Sequence, residues 1–109
     1  LLLSIRDYDH LTLDRPRATM PQVLDGPDGP RIVFQVWDWA EDGRTYAFRL
    51  FILRPDGDGW RTTSHATTYR ALLRAELNTI LADSGFEDIR WHMPQDTGYH
   101  QPIVTARPV

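Results

Sequence analysis

Residues 45–54 alternate so that Tyr46, Phe48, Leu50 and Ile52 share one face while Ala47, Arg49, Phe51 and Leu53 share the other. That is the period-two repeat of a β-strand, here with both faces largely apolar and expected to be covered. Arg49 breaks the pattern and needs a carboxylate or solvent. Just upstream, residues 32–39 form a β-branched and aromatic run, Ile-Val-Phe-Gln-Val-Trp-Asp-Trp, and Glu41-Asp42-Gly43 supplies a turn between the two, which predicts a β-hairpin. Pro55-Asp56-Gly57-Asp58-Gly59 is a second turn, followed by a Thr- and Ser-rich run over residues 60–69. The three runs predict an antiparallel three-stranded meander within residues 31–70.

A different period follows. Leu73, Leu77, Ile80 and Leu81 recur at helical spacing, predicting an amphipathic helix over about residues 72–84 that Gly85 terminates, with Phe86 folding back towards Leu81. Residues 89–93 and 103–107 read as two more strands, placing a closing antiparallel hairpin within residues 88–107. At the other end, Leu1-Leu2-Leu3-Ser4-Ile5 is an apolar strand with neither an initiator Met nor a turn residue before it, so the chain reads as cut from something longer. Between them, residues 10–30 carry Pro16, Pro21, Pro27 and Pro30 with Gly26 and Gly29. Four missing backbone donors argue there for a long irregular surface connection.

Composition narrows the function classes. With 109 residues, 41% hydrophobic and 25% charged, the chain is long and apolar enough to fold as one domain. A formal net charge of -3 without a basic run predicts no nucleic-acid partner. The absence of cysteine removes disulfides, thiolate nucleophiles and Cys-based metal sites, and is compatible with a cytoplasmic location. No apolar run approaches the ~20 residues of a membrane helix, and a soluble chain is expected.

Residues 1–9 hold the candidate site. A buried strand that ends in Arg6, Asp7, Tyr8 and Asp9 has the layout of an α/β ligand site, where ligands lie beyond the carboxyl ends of strands. The same residues equally make a sheet-end salt bridge with a packed Tyr, in which Arg6 relieves the charge of Asp7 and Asp9. Elsewhere the chemistry is sparse. None of Ser4, Ser64 or Ser84 lies in a Gly-x-Ser-x-Gly elbow, and His10, His65, His92 and His100 show no metal-ligand spacing. Asp56-x-Asp58-Gly59 lacks the distal Glu of a calcium loop and reads as a turn. Trp37 and Trp39 share a strand face, as core aromatics or as a stacking surface for a cation. No Gly-x-Gly phosphate loop is present, so no nucleotide cradle is expected within the chain.

Three segments together resemble the C-terminal part of a class I S-adenosylmethionine-dependent methyltransferase, most closely the glycine/sarcosine N-methyltransferase group. They are residues 2–9 with Arg6-Asp7-Tyr8-Asp9, residues 69–86 with Tyr69-Arg70, the helix and Gly85-Phe86, and residues 98–107. The first is the most discriminating. The resemblance implies an α/β parent, with α+β character in this piece. Residues 1–5 would be the fifth strand of a Rossmann-like sheet, residues 31–70 an inserted substrate-side sheet, residues 72–85 the helix, and residues 88–107 the closing hairpin. S-adenosylmethionine would be held by an N-terminal half not in this sequence, and the chain alone would be inactive. Arg6 would hold the carboxylate of a small-molecule methyl acceptor, steadied by Asp7 and Asp9, with Tyr8 also in the substrate pocket; no catalytic residue and no metal are implied. Ala71 and Leu72 stand where the family has Pro and a Ser/Thr-type cap, a departure that leaves the start of the helix open. The rival expectations are an autonomous α+β domain binding a small apolar ligand between sheet and helix, and self-association through the apolar strand at residues 1–5.

Overall fold

The β-branched and aromatic runs become seven strands, accompanied by three helices, in a computed structural model that describes residues 1–109. The chain divides into two compact units, one made of Leu1–Asp14 with Leu72–Val109 and the other of Arg15–Ala71.

In the second unit, β2 (Gln22–Gly26), β3 (Gly29–Trp39), β4 (Thr45–Asp56) and β5 (Gly59–Arg70) form an antiparallel sheet in sequence order. The expected three-stranded meander therefore has a fourth strand, and the Pro-rich connection is not irregular throughout. Its prolines fall where the ladder needs no donor. Pro27 lies in the turn after β2, Pro16 and Pro21 precede it, and Pro30 sits beside the turn opposite Asp25. An edge strand and a hairpin turn tolerate that placement.

Register explains the interior of this sheet. Trp37 lies opposite Phe48, Trp39 opposite Tyr46, and Tyr46 opposite Tyr69, so all five rings project from one face. Trp37 stacks on Tyr46 at 4.7 Å between centroids and 9° between planes. Trp39 and Tyr69 flank the same tyrosine at 4.8 and 5.7 Å, leaving Tyr46 only 1% exposed. On the opposite face Phe34 stacks on Phe51 at 5.1 Å. The remaining apolar side chains of β4 are half-buried rather than fully covered, and β5, rich in Thr and Ser, is exposed almost throughout. Arg49 points to solvent.

The first unit holds β1 (Leu2–Ser4), α1 (Tyr8–Asp14), α2 (Arg74–Asp83), β6 (Phe86–His92), α3 (Pro94–Thr97) and β7 (Ile103–Pro108). Its sheet has the order β1-β7-β6, with both neighbours antiparallel to β7, so β1 and β6 run parallel to each other. The helical stripe meets this sheet. Leu77 and Leu81 of α2 pack on Val104 of β7, which has no exposed surface, and Ile5, Leu72, Phe86, Ile89 and Trp91 close around them. The indole of Trp91 also donates to Asn78 Oδ1 of α2 at 2.7 Å. Gly85, with φ of 92°, takes the left-handed conformation that ends α2, and Phe86 folds back on the cluster as expected.

Segregated helices and two antiparallel sheets place the chain in the α+β class. One correction concerns residues 1–5. The strand is short, pairs on one side only, and lies at the sheet edge with Leu1, Leu2 and Leu3 46%, 67% and 41% exposed; Ile5 alone reaches the core. It is not buried as expected, because nothing in the chain pairs with its outer edge. No helix is long and apolar enough to cross a membrane.

Candidate functional site

The residues following β1 turn at once into a helix. Ile5 still belongs to the sheet, its amide donating to the Pro102 carbonyl at 3.1 Å. Asp7 then starts α1: its carbonyl accepts from the Leu11 amide at 2.9 Å, and its Oδ1 accepts from the His10 amide at 3.3 Å. That is the geometry of an N-cap aspartate. The turn expected at residues 6–9 and the irregular connection expected from residue 10 are therefore replaced by helix α1, because the Asp7 cap commits the chain to a helical turn.

Helix α2 completes the cluster. Arg74, its first residue, donates from Nη1 to Asp7 Oδ1 at 2.8 Å, and its Nη2 lies 3.8 Å from Asp9 Oδ2. The backbone amide of Arg74 donates to Asp9 Oδ1 at 2.9 Å. Asp9 therefore caps a helix 65 residues away while also facing that helix's first side chain. Leu73 at the N-cap has no side-chain acceptor, and Glu76 adds its own, Oε1 accepting from the Leu73 amide at 3.0 Å. This settles the boundary that Ala71 and Leu72 left open. The cap comes from Asp9 in the distant α1 and from Glu76 within the helix, so the helix begins at Arg74 instead of residue 72.

Arg74 engages both carboxylates, a partner that the expectation of charge relief from Arg6 did not include. A signal for it was present in the sequence. A cation in the first turn of a helix opposes the helix dipole, so Arg74 at that position asked for an anion from elsewhere. Arg6 is half-buried at the end of β1. Tyr8 is only 5% exposed, its ring packed, so it offers a ligand little surface in this conformation. The cluster thus holds the strand end and both helix starts together and presents Arg6 beside them. A guanidinium there can receive a carboxylate through its planar fork.

The residues present do not make a cradle for S-adenosylmethionine. Such a cradle uses glycines between a strand and the helix that follows. Here the strand-to-helix junctions are Ile5-Arg6-Asp7, Ala71-Leu72-Leu73 and Met93. Gly29, Gly43 and Gly57, all with positive φ, serve hairpin turns, while Gly85 and Gly98 end helices. No protein-family model, curated protein or solved structure significantly matches the chain.

Two surface clefts are lined by other residues. One of about 300 Å³ is lined by Arg15, Arg17, Trp37, Asp38 and Trp39, residues of which only the tryptophans drew attention in the sequence. A broader one of about 490 Å³ runs over Asp88, Arg90, His92, Thr105 and Arg107. Its cations are largely spoken for within their own sheet, Arg90 pairing with Asp88 at 2.9 Å and Arg107 with Glu87 at 3.4 Å.

Proposed function

We propose that this chain is the substrate-side part of an S-adenosylmethionine-dependent methyltransferase, with the cofactor held by a polypeptide segment that pairs with the outer edge of β1. The observation that carries the reading is the β1-β7-β6 sheet with its open side at β1. Three exposed leucines on and beside a strand that is hydrogen-bonded on one side only are the form expected of an open sheet at the line where its remaining strands attach. The resemblance in the sequence supplies the family, and two features agree with it: a closing antiparallel hairpin of β6 and β7, and an inserted antiparallel sheet between β1 and α2.

In this reading Arg6 stands at the carboxyl end of β1, where an acceptor would meet the transferred methyl group, and its guanidinium holds the acceptor's carboxylate. The acceptor is a small amine of the glycine or sarcosine type, and the enzyme is cytoplasmic. The Asp7–Arg74–Asp9 cluster is the positioning device, since it fixes the turn that carries Arg6. Transfer to a neutral amine then requires alignment above all, which a held strand end supplies.

The test is methyl transfer from labelled S-adenosylmethionine to glycine, sarcosine and other small amines by the protein expressed from its whole reading frame. The 109-residue chain serves as control. Transfer by the former and none by the latter is expected; no transfer to any acceptor by a folded whole-frame protein refutes the reading.

A second reading is favoured by the same edge. If β1 pairs with β1 of another copy, the chain is an oligomerisation domain in its own right. Sedimentation over a wide concentration range separates the two, because only the second makes the dimer persist in the whole-frame protein through this strand.

A further inference from the structure

The segment Arg15–Thr19 lies along β3 beyond the point where β2 stops. Ala18 bridges Val36 in antiparallel fashion, the Trp37 amide donates to the Arg17 carbonyl at 2.8 Å, and the Thr19 amide donates to the Gln35 carbonyl at 3.0 Å. This register puts Arg17 opposite Trp37, and residues paired across a sheet point to the same side. Arg17 therefore rises from the face that carries Trp37 and Trp39. Those residues, with Arg15 and Asp38, line the cleft of about 300 Å³, at the small end of the range for ligand sites.

The walls of this cleft are fixed in advance. The Trp39 indole donates to the Pro16 carbonyl at 2.9 Å, and the Trp37 indole donates to Gln35 Oε1 at 3.0 Å. Trp37 is also stacked on Tyr46, so it forms the floor, while the half-buried Trp39 forms a side. Arg15 is tied as well. Its Nη1 donates to the Glu41 carbonyl at 3.1 Å, its guanidinium covers Gly43, and its own backbone has a φ of 46°, a conformation that an Arg adopts only at some energetic cost. The exposed Arg17 guanidinium, by contrast, makes no ion pair with any of the chain's carboxylates.

We propose that this cleft binds a small organic monocarboxylate with a flat apolar body, such as an aromatic acid. The flat body would lie against the Trp39 indole and the carboxylate would meet the Arg17 fork, with Arg15 adding a second positive charge. With the Arg17 guanidinium as its one cation not paired to a carboxylate of the chain, the lining suits a monoanion better than a phosphate ester or a nucleic-acid backbone. The rigid indoles reduce the ordering that binding must otherwise impose. This site lies wholly within the unit formed by Arg15–Ala71 and stands or falls independently of methyl transfer.

The experiment is a titration of the chain with benzoate, followed by NMR of the four indole N–H groups assigned through single Trp→Phe variants. Benzoate should move the Trp37 and Trp39 signals saturably and leave Trp60 and Trp91 in place. Benzamide, which keeps the ring and loses the charge, should bind about tenfold more weakly, and Arg17→Gln should weaken benzoate by a similar factor. Since benzamide is tested on the unaltered chain, that comparison holds whatever the variant does to folding. The proposal is overturned if saturating benzoate moves neither signal or moves all four alike. It is also overturned if benzamide binds as well as benzoate, or if a short oligothymidylate displaces benzoate at lower concentration than benzoate itself binds.

Discussion

Replacing Asp9 by alanine removes two interactions at once, and the geometry allows them to be separated. Oδ1 accepts the first amide of α2 at 2.9 Å, and Oδ2 faces the Arg74 guanidinium at 3.8 Å. Loss of a capping acceptor costs about 1 kcal/mol. The ion pair adds less, because the two side chains retain 30% and 38% of their exposure; about 0.5 kcal/mol is appropriate for a pair so open to water. Asp9→Ala should therefore destabilise by about 1.5 kcal/mol and, with a denaturant slope near 1.5 kcal/mol/M, lower the urea midpoint by about 1 M. Asp9→Asn keeps an acceptor oxygen and loses only the charge, so it should cost about 0.5 kcal/mol. The assay is urea unfolding read by far-ultraviolet circular dichroism, alongside hydrogen exchange at the Arg74 amide. A double-mutant cycle with Arg74→Ala should return a coupling near 0.5 kcal/mol, since the amide that Asp9 caps survives that substitution. If Asp9→Asn proves as damaging as Asp9→Ala, the oxygen is not acting as a cap. If Asp9→Ala costs less than about 0.3 kcal/mol, this long-range cap has no energetic role.

Three further outcomes are expected. In the whole-frame enzyme, Arg6→Lys should raise the acceptor KM, and lower kcat as well if the planar fork sets the angle of attack, while leaving cofactor affinity unchanged; unaltered acceptor kinetics in a folded variant would reduce Arg6 to a structural residue. Leu2→Lys should abolish any concentration-dependent self-association of the 109-residue chain, because a charge on an edge strand opposes pairing, and a dimer that survives it must use another surface. Gly43→Ala places a methyl carbon 2.6 Å from Arg15 Nη2 at a φ of 71°. It should cost more than about 1 kcal/mol in chemical denaturation and weaken benzoate binding by displacing Arg15, whereas wild-type stability would show that the turn relaxes freely.

Much of the fold was legible along the chain wherever burial acts with a fixed local period. The alternation from Tyr46 to Leu53 marks β4, the spacing of Leu73, Leu77, Ile80 and Leu81 marks α2, and Gly85 with Phe86 marks its end, since each pattern reports which side of one element faces an interior. Turn chemistry was equally local, as Gly43 and Gly57 adopt positive φ in the hairpins foreseen for them. Strand β2 escaped notice because its residues are mostly exposed and its prolines resemble those of a loop until the ladder shows that they lack nothing it requires. Arg6 and Tyr8 were legible as neighbours of a strand end. That Tyr8 is buried, that Arg74 holds Asp7 and Asp9, and that Arg17 stands across from Trp37 depended on pairing between positions that are remote in sequence or fall outside any repeat. Periodicity carries no information about such pairings: it reports how one element meets an interior, while only tertiary structure decides which distant charge, cap or ring completes it.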